Sequence, residues 1–93
     1  MNVPFGCPEC GSVKVRPKSV DRDGLVTLGC ADCEHWFDRQ APERSVPRLR
    51  DLGTILEAQR RTWQQTPATH PRDRQVALGQ YRRTGRMILE ALA

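Results

Sequence analysis

Aromatic side chains and long apolar runs are what this sequence has least of. Only 5% of its 93 residues are Phe, Trp or Tyr. A chain so short and so poor in large side chains buries a modest core, and metals commonly stabilise such chains. No stretch approaches the ~18 consecutive apolar residues that a membrane-spanning helix requires, which excludes a membrane partner. Met1 to Gly6 shows no basic region followed by an apolar stretch, so no secretory leader is read there. The chain is read as soluble and cytoplasmic. Histidine occurs twice, and His70, between Thr69 and Pro71, has no visible partner. No nucleophile stands with a base, so the chain is not read as an enzyme.

Lysine is scarce too: thirteen of the fifteen basic residues are arginine. The charge is uneven. Met1 to Ser45 holds six basic against seven acidic residues, whereas Val46 to Ala93 holds nine arginines against four acids. Arginine suits phosphate because its planar fork donates bidentately. Arginine-favouring codon usage and a solvated helix surface explain the same composition equally well.

Against these scarcities stand four cysteines in two matched pairs, Cys7-Pro8-Glu9-Cys10 and Cys30-Ala31-Asp32-Cys33, separated by nineteen residues. Two residues between cysteines let one tight turn aim both sulfurs at a single ion. Two such turns supply the corners of a tetrahedron, which is the pattern of a closed, structural four-thiolate zinc site. One zinc per chain is expected on Cys7, Cys10, Cys30 and Cys33. Disulfides would need an oxidising compartment, and a redox CxxC would be expected near a βαβ pattern. His35 is close enough in sequence to replace a cysteine, but the four thiolates already fill the site.

The segment between the pairs reads as a hairpin. Val13 and Val15 alternate with Lys14 and Arg16, as in a half-buried strand. Pro17 cannot donate to a ladder, which puts this strand at an edge. Asp23-Gly24 is a turn signal, and Leu25 to Leu28 forms the return strand. Trp36 and Phe37 begin a third strand. One of these rings is expected to cover the metal site; the alternative is an exposed aromatic that stacks on a base.

From Pro4 to Arg39 the chain resembles a zinc ribbon. The residues that carry the resemblance are Cys7-Pro8-Glu9-Cys10-Gly11, the hairpin, and Cys30-Ala31-Asp32-Cys33-Glu34-His35-Trp36-Phe37. Similar ribbons occur in the basal initiation factor IIB, RNA polymerase subunits and elongation factor S-II. The last group typically has Gly-His and an aromatic after its final cysteine; here Glu34 replaces the glycine. It also carries an adjacent Asp-Glu pair at its hairpin tip. Here Arg22 interrupts Asp21 and Asp23, so transcript cleavage is not expected. The resemblance implies a fold and leaves function open.

The second half reads as helical. Gln40 to Ser45 is a linker, Ser45 a candidate N-cap, and Pro47 fits the first turn. Leu49, Leu52, Leu56, Gln59 and Trp63 repeat at steps of three and four, with Ile55 widening the stripe. Pro67 stops the helix near Gln65. Pro71 starts a second helix, with Asp73 in its first turn. Its stripe is Leu78, Tyr81, Gly85, Ile88 and Leu92, with Leu89 alongside; Gly85 could admit another helix. The fold expected is therefore small α+β: a three-stranded zinc ribbon over residues 1–40, a linker over 41–46, and an antiparallel two-helix hairpin over 47–93.

A two-helix hairpin cannot surround its own core. A second copy would supply the missing surface in a four-helix homodimer with the ribbons at its ends, which is the expectation here. The alternative is that the hairpin folds back over the ribbon. The functional expectation is a regulatory or accessory nucleic-acid-binding module. Arg60, Arg61, Arg82, Arg83 and Arg86 would contact phosphate, with Lys14, Arg16 and Lys18 as a second patch. The competing expectation is an adaptor in transcription, docking on a larger machine such as RNA polymerase.

Overall fold

The computed structural model describes residues 6–92; Pro4 and Phe5, where the ribbon resemblance begins, and Met1 to Phe5 of the leader reading lie outside the described residues. Three strands, β1 (Val15–Val20), β2 (Leu25–Cys30) and β3 (Trp36–Gln40), form an antiparallel sheet in the order β1-β2-β3. Two helices follow, α1 (Val46–Gln65) and α2 (Pro71–Leu92). This is the expected α+β order.

Local chemistry fixes the turns. The Asp21 carboxylate accepts from the N–H groups of Asp23 and Leu25, both at 2.9 Å. An Asx turn of this kind is what aspartate offers a hairpin. It also commits Asp21 to holding backbone. Pro17 lies in β1, at the sheet edge. The pairing slips between Pro17 and Ser19, leaving Lys18 as a bulge. Two details differ from expectation. Val13 precedes β1 and is 60% exposed. Ser45 makes no side-chain cap, because a short 3-10 turn over Glu43–Ser45 leads straight into α1 and leaves Ser45 already helical.

The sheet supplies the third surface that the helical stripes need. Val15, Val26 and Leu28 of the sheet pack in one cluster with Leu49, Leu52 and Leu56 of α1 and Ile88, Leu89 and Leu92 of α2. Leu28, Leu49, Leu56, Ile88 and Val26 are the largest fully buried side chains, each contributing roughly 1.5–3 kcal/mol. The hairpin thus folds back over the sheet, and the apolar faces on which a four-helix dimer would rest are covered within one chain. Ile55, read as part of the α1 stripe, is 46% exposed, because the stripe facing the sheet is narrow.

Two mid-helix glycines touch β1 rather than another helix. A methyl on Gly53 would stand 2.7 Å from Val20 Cβ; one on Gly85 would stand 3.4 Å from Pro17 Cγ. Arg60 ties the layers together. Its guanidinium donates to the carbonyl of bulge residue Lys18 and to Tyr81 Oη at 3.3 Å. The α1–α2 turn is closed by Arg74, which donates to the Thr66 carbonyl at 3.2 Å and lies 5.0 Å from the Trp63 ring centroid.

Candidate functional site

The cysteines come together at the end of the sheet where β1 begins and β2 ends. Two turns of the same design carry them. In the first, Gly11 N–H donates to the Cys7 carbonyl at 2.8 Å and Cys7 N–H to the Ser12 carbonyl at 2.9 Å. In the second, Glu34 N–H donates to the Cys30 carbonyl at 3.0 Å and Cys30 N–H to the His35 carbonyl at 2.9 Å. The first sulfur of each pair, Cys7 and Cys30, is buried, and the second, Cys10 and Cys33, is exposed. Side chains lock the turns to each other. Ser12 Oγ donates to Asp32 Oδ2 at 2.5 Å, and His35 Nε2 lies 3.9 Å from Glu9 Oε1. His35 stays out of the sulfur cluster and stacks on Phe37, with ring centroids 6.3 Å apart.

All four Sγ atoms lie within 4.8 Å of one another. The contacts between turns are the shortest: Cys7 to Cys33 at 3.4 Å and Cys10 to Cys30 at 3.6 Å. A tetrahedron with metal–sulfur bonds of ~2.3 Å has edges of about 3.8 Å, so the spacing suits one ion. It is far too long for disulfide bonds of ~2.05 Å. The electrostatics agree. The backbone N–H groups of Cys33 and Asp32 and the sulfurs of Cys10 and Cys33 bring the Cys30 thiol down to about 7, against desolvation. At Cys33, the His35 N–H pulls the other way, yet the Cys7, Cys10 and Cys30 sulfurs and desolvation together push the thiol up to about 12. Holding all four as thiolates this close together takes a cation. The site therefore fits one metal ion held by four cysteines.

The basic residues fall into separate groups. Arg60 faces Lys18 and Tyr81, its Nε and Nη2 donating to the Tyr81 hydroxyl and its Nη2 also to the Lys18 carbonyl, so part of the guanidinium read as a phosphate contact is engaged within the fold. Arg61 and Arg83 are exposed, on α1 and α2 respectively. Arg82 and Arg86 join Arg16 across a groove of about 580 Å³ between β1 and α2, with Val15, Pro17, Leu78, Tyr81 and Leu89 among its other lining residues. All three arginines are exposed, and among the described residues none is paired with a carboxylate. Lys14 precedes β1 and gives its carbonyl to Ala31 N–H at 2.9 Å. Lys18 lies over Trp36, its Nζ 5.7 Å from the ring centroid.

The two aromatics of β3 part company. Phe37 packs against the core, whereas Trp36 is 62% exposed. Sequence reasoning left the placement of the pair open; strand alternation turns Phe37 to the core face and Trp36 to the opposite face. The groove was not foreseen, because it depends on how α2 crosses β1. Compared with known proteins, the chain matches no family model, no curated protein and no solved structure. Among the described residues, no helix is long and apolar enough to cross a membrane.

Proposed function

We propose that the chain is a zinc-ribbon protein that binds nucleic acid without catalysis, in a regulatory or accessory role. The observation that carries this reading is the convergence of Arg16, Arg82 and Arg86, from two elements, on one groove with no carboxylate to neutralise them. Clustered, unpaired guanidinium groups are what a phosphate backbone binds most readily. Arg61, Arg83, Lys14 and Lys18 extend the positive surface; Arg60 does not belong to it. Cys7, Cys10, Cys30 and Cys33 would hold the zinc. Bound there, it would act as a closed cross-link, leaving no open position for a substrate. Thiols kept for a metal suit a reducing compartment such as the cytoplasm.

The apolar floor of the same groove, Val15, Pro17 and Leu89, favours a second reading, an adaptor that seats a segment of a protein partner such as a polymerase subunit. Titration with random DNA and RNA at two salt concentrations separates the two. Nucleic-acid binding must weaken steeply with salt, and Arg82→Ala with Arg86→Ala should weaken it further and flatten the slope. Salt-insensitive or undetectable binding would leave the adaptor.

A further inference from the structure

Trp36 is a large apolar side chain outside the core. It is 62% exposed on the sheet face opposite the helices. Tryptophan is the side chain with most to lose in water, so its surroundings matter. Arg16, Gly29 and Trp36 pair in one row across the three strands. Cross-strand partners share a face, which puts Arg16 and Trp36 together on the solvent side, with the bare backbone of Gly29 between them. Lys18 leans into the same row from the bulge, its Nζ 5.7 Å from the indole centroid. A methyl on Gly29 would stand 2.7 Å from Lys18 Cε and 3.4 Å from Trp36 Nε1. The glycine lets both side chains lie low over the middle strand. Asp38, on the same face one row along, accepts from Thr27 Oγ1 at 2.8 Å and bounds the patch on the side away from the cysteines.

We infer that this face is a stacking platform for an unpaired base of a single-stranded nucleic acid. Trp36 takes the base, and Arg16 and Lys18 take the phosphates beside it. Bases in a duplex have their faces covered by neighbours, so a flat exposed indole selects bases that are free to unstack. Arg16 also lines the groove with Arg82 and Arg86, so one strand can run from the platform to α2. This inference rests on the nucleic-acid reading above and narrows it to single strands.

The test uses the full zinc-loaded chain with Trp63→Phe, which leaves Trp36 as the only indole. Mixed-sequence DNA and RNA strands of about 12 nucleotides, and duplexes of the same sequences, are titrated at low salt. Single strands should quench Trp36 emission and bind several-fold more tightly than duplex. In a chain that keeps Trp63, Trp36→Ala should weaken single-strand binding roughly tenfold, followed by anisotropy of a labelled strand. It should leave duplex binding, zinc content and melting temperature unchanged, and Trp36→Phe should restore most of the affinity. If Trp36→Ala is neutral while Arg82→Ala with Arg86→Ala weakens both ligands alike, the platform is overturned and the general nucleic-acid reading stands. If neither ligand binds in a salt-dependent manner, both are overturned, whether or not poly-glutamate binds the same arginines.

Discussion

Gly11 and Glu34 hold the same station in two copies of one turn. Each lies four residues after the first cysteine of its pair and donates its N–H back to that cysteine's carbonyl. Each also has a left-handed backbone, with φ of 73° at Gly11 and 63° at Glu34. Glycine adopts this conformation at no steric cost. Glutamate does not, and the penalty is ~1–2 kcal/mol.

Exchanging the residue types should therefore move stability in opposite directions. Glu34→Gly relieves strain but adds freedom to the unfolded chain, for a net gain of up to ~1 kcal/mol. Gly11→Ala should cost ~1 kcal/mol, and only through the backbone, since a methyl there would meet nothing within 4 Å. Thermal melts of the metal-loaded protein should resolve both, because 1 kcal/mol moves the midpoint by ~4–8 °C in a domain of this size. A drop in melting temperature for Glu34→Gly would mean that its side chain does something the backbone argument omits.

Metal removal should unfold more than the turns that hold it. Chelation under reducing conditions, or Cys7→Ser or Cys30→Ser, frees both knuckles at the end of β1 and β2. The same strands supply Val15, Val26 and Leu28 to the core. Circular dichroism should show helix lost along with the metal. Retention of full helicity in the stripped protein would show that the helices hold the sheet unaided.

Zinc affinity should fall in acid. Below about pH 7 Cys30 keeps its proton, and zinc must displace it before that sulfur can ligate. Above it, Cys30 is already a thiolate and fewer protons compete. Competition with a chromophoric chelator at several pH values measures the slope. An affinity flat from pH 8 to 6 would contradict the four-thiolate site.

The two mid-helix glycines that touch β1, Gly53 and Gly85, should respond oppositely to alanine. In an open helix, Gly→Ala gains ~1 kcal/mol. Gly85→Ala should keep most of that gain, since its methyl would make an ordinary contact with Pro17 at 3.4 Å. Gly53→Ala should lose stability, since its methyl would stand 2.7 Å from Val20 Cβ, a branched atom next to backbone that cannot swing away. Denaturant midpoints of the two variants provide the comparison.

Removing the inward arginine should affect stability and leave phosphate binding alone. Arg60→Ala strips the part-buried Lys18 carbonyl of its donor, and losing that bond to a charged group should cost ~1–3 kcal/mol. Tyr81→Phe leaves the Lys18 bond in place and should cost less. The Arg60→Ala protein, assayed well below its melting temperature, should bind nucleic acid with the salt slope of the parent. A flattened slope would return Arg60 to the phosphate surface.

Much of this architecture was legible in the sequence because the signals were local. The cysteine spacing, Asp23-Gly24, Pro67 and Pro71 each act within a few residues. The α1 end at Gln65 and the α2 start at Pro71 follow from proline alone. What could not be read depends on pairing between distant segments. A one-residue shift in register exchanges the faces of a strand, and the bulge at Lys18 makes such a shift within β1. Without it, the row of Arg16, Gly29 and Trp36 cannot be assembled on paper. The position of Arg60 was hidden for the same reason: on its own helix it resembles any exposed arginine, and its partner is a carbonyl on the bulge of a distant strand.

That bulge has a further effect. β1 is an outer strand of the sheet, and an unpaired outer strand is a template on which another polypeptide can lay a strand of its own. Pro17 has no N–H to offer such an intruder. The carbonyl of the following residue, Lys18, is already claimed by Arg60. One backbone group on each of two adjacent residues is thus closed to strand addition, one by the chemistry of a ring and the other by a side chain reaching across from α1. The open ladder of β1 is interrupted at its middle, which guards the sheet against growing from chain to chain along this margin.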